Sequence, residues 1–304
     1  MRRIDARRER IPIPTILSLA IAFAALALTA SEVDRDQANP ARVPAAPQTD
    51  LPSLLESAAQ YCDRLSRSVL DFVCRERVSE WSYPKVDTRS SVVSDGGAIR
   101  MVGFIRRGPK ESNAYLYDYQ LIRDRTGSVR ETRTLLRENK KDVCVPDTTL
   151  KTRLFWHARI VMGPLGLLSR ERQAEHDYRI VRERLEGQER IAVIEAVPKP
   201  GVTADHLVGT IWLRLRDAGI QKIEWNPSSI DNYAGVLATA ERLQMTPRIV
   251  LTSEYGFEKN GIRFPSRYSV QEIYGRGSRR FQRSETTVLY DQYRFFTVET
   301  QVVY

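Results

Sequence analysis

The chain has 304 residues, with 47 Lys and Arg against 38 Asp and Glu, a formal net charge of +9 and three Cys. Five arginines before residue 31, set against Asp5 and Glu9, account for three of those charges and leave +6 on segments where the signs alternate. Interleaved signs describe a solvated surface rather than a nucleic-acid track, and three cysteines without a CxxC pair offer no structural zinc site.

Arg2, Arg3, Arg7, Arg8 and Arg10 precede an uncharged run from Ile11 to Ala30 that closes in small residues. A basic head, an apolar middle and a small-residue end describe a secretory signal over residues 1–30. Cleavage after Ala27 fits the small-residue rule better than cleavage after Ala30. About twenty uncharged residues also suffice to span a bilayer, so an inner-membrane anchor over 11–30 is the alternative. Either way the body of the chain is expected outside the cytoplasm, periplasmic or secreted. Residues 31–50, rich in Pro, Ala and charge, read as a disordered linker. The remainder, 51–304, is long enough to bury one substantial core.

Asp50 is placed to cap a helix whose apolar face carries Leu51, Leu54, Leu55, Ala58, Cys62, Leu65 and Val69. A second helical segment, from Thr152 to about Ala174, holds Phe155, Trp156 and Leu167 and is broken at Gly163-Pro164. That insert is more apolar than a surface helix needs, so it either plugs a core or covers a cavity.

Strands are predicted near 70–83, 97–107, 113–123, 128–137, 177–185, 189–197, 208–216, 220–226, 248–258, 261–275, 279–291 and 293–303. Residues 229–247 read equally as strand or helix. The clearest hairpin is Gly209–Trp225, turning at Asp217-Ala218-Gly219. Ile211, Leu213 and Leu215 share one face, while Trp212, Arg214 and Arg216 share the other and are expected to meet water. Turns every eight to twelve residues with two helical inserts give an α+β fold. Its centre is a strongly curved antiparallel sheet, a half-open β-barrel, with the amino-terminal helix and the insert on the concave side.

Cys62 and Cys74 are too far apart on one continuous helix. If the helix ends near Arg67 and the chain reverses, they can meet as a disulfide, which an oxidising compartment favours. Two buried thiols are the other reading. Cys144 is left over and is expected to be a partly buried structural thiol. His157, His176 and His206 have no ligand spacing, and no Gly-x-Ser-x-Gly elbow appears. No catalytic residue, metal or cofactor is therefore assigned, and an enzyme is not expected.

The run Gly209-Thr-Ile-Trp-Leu-Arg-Leu-Arg-Asp-Ala-Gly-Ile-Gln-Lys-Ile-Glu224 resembles the lipoprotein-carrier superfamily, the LolA/LolB-like periplasmic half-barrels. Glu254-Tyr-Gly-Phe-Glu-Lys-Asn-Gly-Ile-Arg-Phe-Pro-Ser266 and the closing Tyr293-Arg-Phe-Phe-Thr-Val298 add to the likeness. The resemblance spans 51–304, although this chain is longer than a typical carrier and lacks an acylated cysteine. It implies an apolar hollow for one acyl chain, worth about 0.8 kcal/mol per buried CH₂. The lining would come from Leu54, Leu55, Tyr115, Tyr117, Tyr119, Phe155, Trp156, Leu167, Ile211, Leu213, Leu215, Ile223, Trp225, Tyr255 and Phe257. Tyr115, Tyr117 and Tyr119 share a strand face and would suit a polar headgroup. The implied partner is a lipid or lipidated protein, with envelope proteins or a membrane surface beside it and no nucleic acid. The alternative is an envelope scaffold or stress-sensing interaction module whose core is filled; a hydrolase is the remotest reading.

Overall fold

The computed structural model describes residues 49–68, 72–95, 98–123, 129–152, 163–202, 207–227 and 233–296. The chain divides into units Met1–Pro47 and Gln48–Tyr304. The expected signal and nearly all of the expected linker lie outside the described residues, as do Phe155, Trp156, His157 and His206. Among the described residues no helix is long and apolar enough to cross a membrane.

Helix α1 (Leu51–Ser68) starts where expected. Asp50 accepts from the Ser53 amide at 3.0 Å and from its hydroxyl at 2.5 Å, closing the first turn. Leu54, Ala58, Tyr61, Cys62 and Leu65 form its buried face. Strand β1 (Phe72–Ser82) then enters the sheet, followed by the hairpin β2 (Val86–Asp95) and β3 (Ala98–Arg107). Next come β4 (Glu111–Arg123), β5 (Val129–Glu138) and β6 (Lys141–Val145). Short helices α2 (Leu165–Leu168) and α3 (Arg170–Glu175) flank Ser169 and lead to β7 (His176–Glu186) and β8 (Glu189–Pro198). The rest is β9 (Gly209–Arg214), β10 (Ile220–Trp225), α4 (Tyr233–Leu243), β11 (Thr246–Glu254), β12 (Phe257–Lys259), β13 (Ile262–Phe264), β14 (Arg267–Arg276) and β15 (Arg279–Phe295).

Eleven of these strands form one open antiparallel sheet, in the order β6-β5-β4-β1-β15-β14-β11-β10-β9-β8-β7. The first strand therefore lies inside the sheet, fourth from the β6 edge, between β4 (Phe72 opposite Leu121) and β15 (Val78 opposite Val288). The sheet is strongly curved and stays open, as the alternating strands and short turns imply. The β2–β3 and β12–β13 hairpins each form a separate two-stranded sheet.

Several elements differ from the sequence expectation. Strand β2 lacks an apolar alternation because it joins the small outlying sheet rather than the core. Strand β6 is a short, largely exposed edge strand. Residues 279–295 form one long strand instead of two, and the ambiguous 229–247 stretch contains a helix. Buried Val236, Thr239, Ala240 and Leu243 lie three or four apart, which is the period of a helix facing the core.

The Gly209–Trp225 hairpin forms, and Arg216 on its second face is exposed as expected, but Trp212 and Arg214 are not. Trp212 is 5% exposed and packs with Ile191 and Val193, with the Lys222 ammonium 4.5 Å from its ring centre. Arg214 is buried too, held by Asp217 at 2.6 Å and Glu258 at 3.0 Å. The positive φ at the turn belongs to Ala218, not Gly219. Gly219 fits tightly: a Cβ there would sit 3.0 Å from Asp217 Oδ1 and 3.1 Å from Arg214 Nη2, so that pair would have to give way. The turn is thus fixed by an arginine–carboxylate clamp.

Candidate functional site

The concave side of the sheet is where a ligand of a half-barrel would lie, and it divides into an apolar end and a polar belt. At the apolar end α1 packs against β13 beside the aromatic residues of β1, β13 and β15, and α2 packs against α1. Phe72 packs edge-on to Phe264 with centroids 5.7 Å apart, and Phe257 stacks on Tyr293 at 4.7 Å. The Tyr61 hydroxyl accepts from the Arg263 amide at 2.9 Å, tying α1 to the β12–β13 hairpin. The Tyr178 hydroxyl donates to the Leu167 carbonyl, fixing α2 against β7.

Most residues expected to line a hollow are here, packed against one another. Leu54, Tyr115, Tyr117, Tyr119, Leu167, Ile211, Leu213, Ile223, Trp225 and Tyr255 all belong to one continuous buried core. Leu55, Leu215 and Phe257 are half-buried at its margin. Five of the hollows bordered by described residues measure between about 440 and 860 Å³. Of the expected lining residues only Tyr115 and Leu215 border any of them. The three tyrosines do not gather at a mouth. The Tyr117 hydroxyl accepts from the Lys151 amide at 3.0 Å, and the Tyr119 hydroxyl donates to Glu131 at 2.9 Å. Burial pushes Tyr117 up to about 12 and Tyr119 well above its ordinary value, so both serve as neutral hydrogen-bonding groups.

The polar belt crosses the middle of the same face. On β1, Glu76 and Glu80 alternate with Cys74 and Val78, so the strand turns carboxylates as well as apolar groups inward. Glu76 is fully buried and receives Arg133 Nε at 2.6 Å and Nη2 at 3.1 Å, a bidentate pair. The same guanidinium lies 4.7 Å from the Tyr119 ring centre. Glu80 accepts from Thr286 at 3.1 Å. Glu272 is buried as well, and accepts from Arg283 at 2.8 Å, Ser284 at 2.7 Å and Tyr274 at 2.5 Å. Both oxygens of Glu76 and of Glu272 are occupied, which suits rigidity rather than proton transfer.

Sequence reasoning missed this belt because carboxylates are common on these strands. The signal was present in the alternation of β1, but its meaning depends on the cross-strand partners supplied by β5, β14 and β15.

The expected Cys62–Cys74 disulfide is not formed: both cysteines are free, buried thiols. Cys62 faces the Pro164 carbonyl at 3.7 Å, across the α1–α2 contact, whereas Cys74 faces the Tyr293 hydroxyl on β15. The helix and the strand point the two sulfurs at different neighbours. Burial lifts the Cys62 thiol to about 12 and the Cys74 thiol further still. Cys144, expected to be partly buried, is exposed on β6. Both ring nitrogens of His176 are taken by backbone carbonyls, Arg172 at 2.8 Å and Leu207 at 2.9 Å. Among the described residues no group of His, Cys, Asp and Glu converges as a metal site would.

No protein-family model matches the chain, and no curated protein matches it either. Solved structures similar to it include a LolA superfamily protein from Nitrosomonas europaea, at 11% identity and a TM-score of 0.33. That alignment covers 81% of this chain and 94% of the other. A DUF1329 family protein from Desulfovibrio piger aligns at 12% identity and a TM-score of 0.30, covering 81% and 95%. MucB, solved in complex with MucA, aligns at 10% identity and a TM-score of 0.22, covering 80% and 99%. All three superpose loosely.

Proposed function

We propose that this chain is an exported, non-catalytic binding module of the bacterial envelope whose curved sheet is a filled scaffold, engaging a protein partner from its surface. The observation that carries the reading is the packing of the concave side. Most of the described side chains expected to face an acyl chain pack into one core with each other. The carboxylate belt adds to this, because an acyl chain laid across buried Glu76 and Glu272 would break their hydrogen bonds without replacing them. Export rests on the basic and apolar residues of 1–30. The absence of a catalytic assignment rests on the occupied carboxylates of Glu76 and Glu272, the occupied ring of His176 and the lack of ligand spacing among the histidines in the sequence.

Native mass spectrometry of the exported protein after gentle purification tests the choice. A lipid-free protein that retains an envelope protein supports the scaffold, while stoichiometric lipid overturns it in favour of a carrier. Leu213→Asp gives an independent reading. Leu213 is fully buried, so a packed core loses about 4 kcal/mol or more and unfolds around the charge. Circular dichroism and thermal melting report that loss. A Leu213→Asp protein that keeps its melting transition would sink the filled-core reading.

A further inference from the structure

Three adjoining hollows, of about 650, 860 and 810 Å³, lie where the base of the β2–β3 hairpin, the end of α4 and the β14–β15 turn meet. Arg107 borders the second and third, and Arg276, Gly277 and Arg280 border the first and third, so the three form one continuous surface. Its cations include Arg89, Arg106, Arg242, Arg248, Arg276 and Arg280, against two acids, Asp87 and Glu241.

Many arginines elsewhere are paired, although among the described residues the scattered Arg64, Arg67, Arg182 and Arg294 are not. Arg133, Arg170, Arg179, Arg190 and Arg214 each meet a carboxylate within 3 Å. Among the described residues Arg89, Arg106, Arg248, Arg276 and Arg280 have no ion-pair partner, and all five are exposed. Clustered cations of one sign repel each other, and an anionic partner relieves that repulsion.

The surface is also partly apolar. Arg107 covers the Phe281 ring at 4.9 Å, Met245 lines the floor, and Phe104 stands 47% exposed at the rim. Val92, on the same hairpin, is 66% exposed. An acidic polypeptide would match the charge and leave these side chains in water. A bilayer interface takes up both, phosphates against the guanidinium groups and the ring at the acyl boundary.

We propose that this end of the sheet docks onto an anionic phospholipid surface. The proposal goes beyond the scaffold reading, since a protein partner could be gripped without any contact with lipid.

The test is co-sedimentation of the full chain with vesicles of equal parts phosphatidylglycerol and phosphatidylcholine, and with phosphatidylcholine alone. The variant Arg89→Glu/Arg106→Glu/Arg280→Glu is compared with Lys140→Glu/Lys141→Glu/Arg182→Glu, which has the same net charge but alters exposed cations elsewhere. Residues 1–48 are common to all three proteins, so their contribution cancels in the ratios. Each cation removed near an anionic surface lowers partitioning about fivefold, so the groove variant should fall by well over tenfold and the control by under about threefold. Phe104→Ser should fall about fivefold. Equal losses in the two triple variants, or equal wild-type binding to neutral vesicles, would overturn the proposal. Tighter retention on polyglutamate than on anionic vesicles, with Phe104→Ser unchanged in both, would instead assign the surface to an acidic polypeptide.

Discussion

At the scale of single residues, the buried carboxylates decide what the concave face can be. Glu76 is matched to Arg133 by position on adjacent parts of the sheet, and neither group has water to fall back on. Replacing Glu76 with Gln leaves the guanidinium buried without its counter-charge and is expected to cost about 3–5 kcal/mol. Guanidinium denaturation measures this as a lower midpoint. The double change Glu76→Met/Arg133→Met should recover much of the loss, because an apolar pair of similar volume needs no counter-charge. The sequence made Leu213, Ile211 and Trp225 legible as inward-facing because they alternate with polar neighbours. It left Glu76 and Glu80 opaque, since an inward carboxylate looks like an outward one until its partner strand is known. Trp212 was misjudged for the same reason: its cover comes from Lys222 on the neighbouring strand and not from its own.

At the scale of elements, α1 was readable from its cap and its apolar stripe, whereas its seat was not. The seat comes from long-range ties, one of them the pair of 2.8 Å hydrogen bonds from Arg170 to Glu56. The Arg170 hydrogen bond, helped by one from Gln60, holds Glu56 at about 2, below its ordinary 4.5. A carboxyl depressed in the folded state stabilises fully above its unfolded value and loses that contribution as pH falls toward the folded value. The difference in melting temperature between wild type and Glu56→Gln should therefore be present above pH 4.5 and disappear as the pH approaches about 2. The pair is solvent-exposed, so the difference should be small. A difference that grows on acidification would contradict the tie. Strands β2 and β6 were harder to read, because exposed residues on a hairpin or an edge carry no periodic apolar signal.

At the scale of the whole molecule, one core runs from α1 through the sheet to α4, so unfolding should be a single cooperative transition. The thiols report it. In the native protein only exposed Cys144 should react with a maleimide, while Cys62 and Cys74, buried and with raised pKa values, should not. Their reaction should appear together, at the denaturant concentration where circular dichroism is lost, and bring the total to all three cysteines. A total that stays at one without reductant would show that a bridge joins Cys62 to Cys74. The order of the sheet carries a consequence for how the protein is made. Strands β1 and β4 to β6 supply one flank and β7 to β11 the other, and in the sheet only β14 and β15 join them. Within the sheet, the two flanks share no backbone hydrogen bonds until the last hairpin arrives and zips along β1 on one side and β11 on the other, leaving the contacts of α1 with α2, α3 and β13 and of α4 with β2 to bridge them. The central sheet of this design can close only when its far end is delivered, so its pairing is dominated by late, long-range contacts, the kind that form slowly.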